Sequence, residues 1–242
     1  MIEAKPTKRM KEHPILFSGP MVQAILEGRK TQTRRICKTR TQDQTDIIAG
    51  AIMDDMNRAD DGTHEGEAWK RFPCHYGKPG DRLWVRETHA LKEVAPHGYT
   101  ECLIHYQAGG APMICGPASD DFARPLAADE QPDPRLTVKR WRPSIHMPRW
   151  ASRLTLEIVG VRVERLNEIS EEDAIAEGIE RDAAEFKNYN VKDVAFPWIG
   201  GVGAASASYS SLWESINGPG SWEANPWVWV LEFKPVESEV KA

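Results

Sequence analysis

Between Gly28 and Arg35 the chain reads Gly-Arg-Lys-Thr-Gln-Thr-Arg-Arg, a cluster of ammonium, guanidinium and hydroxyl groups suited to anion handling and proton transfer. Hydrolysis of an amide needs a nucleophile, a group that takes its proton and a donor for the leaving nitrogen. Thr33 offers a hydroxyl, and Lys30, if desolvated enough to lose its proton, could act as its base. Glu177 is the matching acid. It stands one residue before Gly178, at the negative end of a short helix, where a carboxylate is disfavoured by about 0.3–1 kcal/mol. A carboxyl kept protonated there could protonate a departing amine. The plain alternative makes Glu177 a solvated helix residue, Lys30 the partner of a surface acid and Thr33 an ordinary strand residue.

Several elements must bring these groups together. Met21, Val22, Ile25 and Leu26 form the apolar stripe of a short helix, opened by Pro20 and stopped by Gly28. Thr31-Gln32-Thr33 then alternates, so a regular strand puts Thr31 and Thr33 on one face and Lys30 and Gln32 on the other. Pro14 to Phe17 reads as a short strand, and Arg82 to Glu87 as another after the turn Gly77-Lys78-Pro79-Gly80-Asp81. Arg153 to Arg165 is one long bent strand or a strand pair, with Gly160 at the bend. Ser170 caps a helix whose first turn carries Glu171, Glu172 and Asp173, and Gly178 closes it. Tyr209 to Ile216 is a helix ended by Asn217-Gly218, and Asn225 to Phe233 is apolar enough for a central strand. Strands wrapped around two or three short helices predict an α+β fold, a small mixed β-barrel.

The chain has 242 residues, 40% of them hydrophobic, and nine tryptophans, enough for one sizeable core. A single elaborated domain is expected over residues 13–235, between a basic tail at 1–12 and a tail at 236–242. Insertions are expected at about 38–72, 91–134 and 180–205, where polar, acidic or Pro/Gly/Ala-rich sequence shows little periodicity. No apolar run is long enough to span a membrane and no signal-type stretch follows the basic N-terminus. Together with four cysteines without framework spacing, this predicts a cytoplasmic protein with reduced thiols and no membrane contact.

The net charge of −5 hides an uneven distribution. Arg29, Lys30, Arg34, Arg35, Lys38 and Arg40 form one stripe without an acid, and Arg135, Lys139, Arg140, Arg142, Arg149 and Arg153 form another. A polyanion senses the field within about 8 Å at physiological salt rather than the total charge. Trp84, Trp141 and Trp150 lie close in sequence to Arg86, Arg142 and Arg149, and stacking a base on such a ring contributes about 1–3 kcal/mol. Arg29, Arg34, Arg35, Trp84, Arg86, Trp141, Arg142, Arg149 and Trp150 are therefore the candidate contacts to nucleic acid or a base. Core packing is the competing role, and the better one for Trp227 and Trp229. Cys74-His75 and Cys102-x-x-His105 lack the double-pair spacing of structural zinc, so neither a metal nor a cofactor is expected.

The order of these motifs resembles the ASCH domain, a relative of PUA-like β-barrels. The resemblance rests on the helix and Gly-x-Lys-Thr-x-Thr, the Pro-Gly-Asp-x-Leu-x-Val strand, the long strand pair, the Glu-bearing helix and the last Val-x-x-Phe strand. It is closest to larger phage and prophage members through Pro14 to Met21, Tyr76 to Glu87, Trp141 to Ser152 and Trp213 to Phe233. What it implies is a protein directed at RNA or a modified nucleoside, and most specifically a hydrolase that removes the acetyl group of N4-acetylcytidine. In that role Lys30, Thr33 and Glu177 match the catalytic positions. Other ASCH proteins are RNA-binding modules, so a non-catalytic reader of RNA or a modified base stays open, as does a phage assembly or host-interaction protein.

Overall fold

The computed structural model describes residues 10–37, 42–58, 73–94, 101–110, 113–115, 123–125, 140–182, 185–189 and 204–236. The expected tails up to residue 9 and beyond 236, and parts of all three expected insertions, lie outside them. The chain divides into two compact units. The first comprises Met1–Gln23, Gly80–Glu157 and Pro235–Ala242, and the second Ala24–Pro79 and Ile158–Lys234.

In the first unit, strand β1 (Glu12–Leu16) pairs in parallel with β3 (Arg82–Arg86), which pairs antiparallel with the start of β8 (Thr155–Arg165). The alternation in Arg82 to Arg86 is obeyed: Leu83 and Val85 are buried, and the residues between them are half-buried. Strands β4 (His89–Val94), β5 (Glu101–Tyr106), β6 (Met113–Cys115) and β7 (Ala123–Pro125) form a separate antiparallel sheet in that order. Sequence alone assigned this region to an irregular insertion. Two of its strands have only three residues and the sequence between strands is rich in Pro and Gly, which weakens the period-2 signal although the ladder forms. Ile104, Tyr106, Met113, Met147 and Ala151 make its core.

The second unit holds the elements around the motif. Helix α1 (Gly19–Leu26) runs into it and ends at Gly28, whose φ of +74° turns the chain back. The amide groups of Arg29 and Lys30 both donate to Ala24 O, so Lys30 is held against the end of the helix that precedes it. Strand β2 (Gln32–Ile36) pairs antiparallel with β11 (Trp227–Pro235), Thr33 opposite Leu231. Helix α2 (Gln42–Arg58), 17 residues long, occupies part of the first expected insertion, where the sequence shows little periodicity. Its Asp46 accepts from Trp227 Nε1 and pairs with Arg165.

Helix α3 (Glu171–Ala176) starts as predicted, with the Ser170 hydroxyl accepting from Asp173 N at 3.1 Å. Strands β9 (Arg181–Asp182) and β10 (Glu185–Phe186) follow as a short hairpin. Helix α4 (Ala205–Asn217) begins where the Glu171 carboxylate accepts from Ala205 N and Ser206 N, an acid from one helix serving the positive end of another. Leu166, Ala174, Ile179, Tyr209, Trp213, Val228 and Val230 belong to the core of this unit.

The fold is thus α+β, built on a five-stranded sheet of order β1-β3-β8-β11-β2. The closed barrel expected from sequence is not formed: β1 and β2 are the two ends of this order. Closure needs strands long enough to tilt and stagger around an axis. Both end strands have only five residues, and the approach to β2 bonds to a helix end instead, Thr31 N donating to Ala176 O. Among the described residues no helix is long and apolar enough to cross a membrane.

Candidate active site

The backbones of Lys30 and Glu177 form an antiparallel bridge, although 147 residues separate them in sequence. Lys30 Nζ donates to Glu177 Oε2 at 2.7 Å and to Glu177 O at 2.8 Å. Their side chains are 1% and 4% exposed. Gly178 makes this approach possible. Its φ is +82°, and a Cβ at that position would lie 2.7 Å from Lys30 Cβ, closer than carbon atoms tolerate.

Arg34 completes the clamp on the carboxylate. Its Nη1 donates to Glu177 Oε1 at 3.3 Å, while Nη2 reaches Glu164 Oε1 at 2.5 Å and Asp173 Oδ2 at 2.8 Å. Both oxygens of Glu177 therefore accept from a cation, one from Lys30 and one from Arg34. Gln32 Nε2 donates to Asp173 O at 2.6 Å, so Lys30, Gln32 and Arg34, two residues apart, all reach toward α3. Arg162 extends the network by pairing with Glu164, Asp173 and Glu232. Gly160 is part of this arrangement rather than only a bend: a Cβ there would meet Glu232 Oε2 at 2.6 Å.

Burial pushes the Lys30 ammonium below the ordinary lysine value, against the opposing pull of Glu177. Burial also works against charge on Arg34, but Glu177 and Glu164 outweigh it and hold the guanidinium charged. The Asp173 carboxylate loses hydration, yet Arg162 and Arg34 keep its pKa below the usual range. Tyr209, with Arg34 5.8 Å from its ring centre, has its phenol pushed well up by burial and then by Glu177. Each buried ion costs several kcal/mol of hydration, so this cluster persists only because each charge is matched.

The expected site residues fall into two groups. Lys30 and Glu177 are in contact, whereas the alternation of β2 turns Thr33, buried opposite Leu231, to the face away from Lys30, Gln32 and Arg34. Arg34, expected on a nucleic-acid surface, is withdrawn from solvent because three carboxylates claim it. Arg29 stays at the surface but is bonded to Glu27 and to Gly178 O, and Arg35 is half-buried. In the first unit, Trp84 is covered by Arg86, 5.3 Å from its ring, and by Arg149 at 6.0 Å. Arg86 also donates to Ile145 O, and Arg149 is paired with Glu12. Trp141 and Trp150 are 40% and 41% exposed, and Arg142 is exposed beside them in sequence.

Sequence reasoning missed Gln32, Glu164, Asp173 and Arg162 as neighbours of the pair. Parity held the signal: Gln32 and Arg34 follow Lys30 at steps of two, and Asp173 precedes Glu177 by one helical turn. No protein-family model, curated protein or solved structure matches this chain.

Proposed function

We propose that this chain is an ASCH-type hydrolase, its open sheet a variant of the PUA-like barrel, that removes an acyl group from a modified pyrimidine such as N4-acetylcytidine. The observation that carries this reading is the 2.7 Å contact between Lys30 Nζ and Glu177 Oε2 in a setting almost free of water. The roles of the two groups differ from those the sequence suggested. Glu177 has one carboxylate oxygen held by Lys30 and the other by Arg34, an arrangement that suits it to act as base with Lys30 as electrophile. Thr33, on the other face of β2, is replaced as nucleophile by water.

In this mechanism Glu177 takes a proton from water as the oxygen attacks the acyl carbon, and the Lys30 ammonium stabilises the resulting oxyanion. The C–N bond then breaks as the proton passes from Glu177 to the pyrimidine amine, and acetic acid leaves, releasing its proton to solvent as acetate. Arg34 positions the carboxylate throughout. Because the pair is nearly sealed, substrate reaches it only when the turn at Glu177 and Gly178 yields. A second reading, a non-catalytic reader of single-stranded RNA, is favoured by the exposed rings of Trp141 and Trp150.

Acetate release from N4-acetylcytidine, free and within an RNA oligonucleotide, tests the proposal. The parent protein is expected to release acetate, and Glu177→Gln to lose at least about 100-fold of the rate while keeping its near-ultraviolet circular dichroism. No acetate from either substrate with folded parent protein would reject the hydrolase.

A further inference from the structure

Ile175 and Ile179, on either side of Glu177 and Gly178 in sequence, line a cleft of about 380 Å³ together with Arg29, Glu180, Arg181 and Phe186. Its walls differ in chemistry. Ile175, 49% exposed although apolar, and the buried Ile179 and Phe186 supply a hydrophobic floor. The rim is charged, and most of that charge is already matched: Glu180 holds Lys187 at 2.9 Å, and Arg29 holds Glu27 at 2.6 Å. Arg181 is the exception. Among the described residues it makes no ion pair, and its guanidinium lies 5.2 Å from the centre of the Phe186 ring.

A flat guanidinium lying over an aromatic ring is fixed in direction and keeps its N–H groups available for an anion. Beside it, the half-exposed Ile175 offers an apolar surface that a planar ring can cover. The volume is at the small end of ligand sites, which run from about 300 to 1,000 Å³, so it admits one nucleotide and not a folded nucleic acid. The lining charges, Arg29 and Arg181 against Glu180, sum to one positive charge, with the Lys187 and Glu27 partners cancelling each other. That is complementary to a monoanionic or dianionic phosphate.

We infer that this cleft binds a pyrimidine nucleoside monophosphate, the phosphate on Arg181 and the base against Ile175 and Ile179. The choice of pyrimidine rests on the hydrolase reading above; the ring and phosphate sites rest on the cleft itself. Arg29, which lines the cleft, donates through Nη1 to Gly178 O, and Lys30 Nζ donates to Glu177 O in the same turn. Occupation of the cleft therefore bears directly on the segment that seals the buried pair.

Calorimetric titration of the full chain with cytidine 5′-monophosphate, cytidine and inorganic phosphate tests this. The monophosphate is expected to bind at least tenfold more tightly than either of the others. Arg181→Ala is expected to remove the advantage over cytidine, and Ile175→Glu, a surface change that the fold tolerates, to weaken both. Equal affinity for nucleotide and nucleoside, phosphate binding as tight as the nucleotide, or nucleotide affinity untouched by Arg181→Ala would each overturn the inference. Nucleotide binding that depends on Arg181 in a protein that releases no acetate would reject the hydrolase and leave the cleft assignment standing. Acetate release without such binding would do the reverse.

Discussion

In the second unit the side chain of Arg34 is fully buried among Glu164, Asp173 and Glu177, whereas in the first Trp141 and Trp150 stand about two-fifths exposed near Arg142. Both regions come from stretches of sequence that carry bases and no acids. In the second unit the missing acids arrive from β8 and α3, so charge that looked available to a polyanion is consumed indoors. In the first, Arg153 is consumed in the same way by Glu87, at 2.9 Å, while Arg149 is paired with Glu12 at the surface. The exposed aromatic rings and Arg142 remain. A basic stripe in sequence is therefore a basic surface only where the fold brings no carboxylate to it.

The largest effect expected from breaking this contrast is at Glu177. Glu177→Ala removes the carboxylate from the buried Lys30 and one of three carboxylates from Arg34, and should cost about 3–5 kcal/mol, read by urea denaturation. Glu87→Ala leaves Arg153, 12% exposed and stacked 4.0 Å from the Tyr106 ring centre, and should cost less. Equal losses would mean that the two buried pairs are equivalent. Next comes Gly178→Ala, which imposes a side chain on a left-handed backbone against Lys30. About 1–2 kcal/mol from the backbone alone, plus the cost of displacing Lys30, should appear as a lowered unfolding midpoint.

pH separates the regions further. Burial lowers the pKa of His89 in the first unit below its ordinary 6.5, so the unfolded state binds the proton more readily. Stability from this group is present above about pH 6.5 and is lost as pH falls below it. Asp173, lowered by its arginines despite burial, follows the carboxylate rule: its contribution holds above its unfolded value of 3.8 and fades only in stronger acid. Hydrogen exchange between pH 7 and 5 should therefore loosen amides around His89 before those around α3. The reverse order would contradict these assignments. The smallest effect is at the surface: Glu12→Ala, which frees the exposed Arg149, should change stability by no more than about 1 kcal/mol.

Local chemistry was legible in the sequence where the signal is local. The stop at Gly28, the Ser170 cap and the Gly178 closure follow from single residues, and the shared parity of Lys30 and Gln32 follows from strand alternation alone. Strand parity placed Arg34 on the face of Lys30, but its partners were not legible, because they lie at least 130 residues away. The four-stranded sheet of the first unit was hidden for a related reason. Two of its four strands have only three residues and are held by their ladder partners, and β-propensity summed over so few positions carries little weight. The barrel failed as an expectation because strand content does not determine closure.

The buried pair is central, and removing it as a pair separates chemistry from stability. Replacing both partners, unlike stranding one, is often close to neutral for a fold. Lys30→Met combined with Glu177→Gln should therefore leave a folded protein, in which the amide oxygen introduced at position 177 still accepts from Arg34. The decisive measurement is acetate release from N4-acetylcytidine by this double variant beside the parent. The account predicts release by the parent and none above the uncatalysed rate by the variant; equal release by both would contradict it.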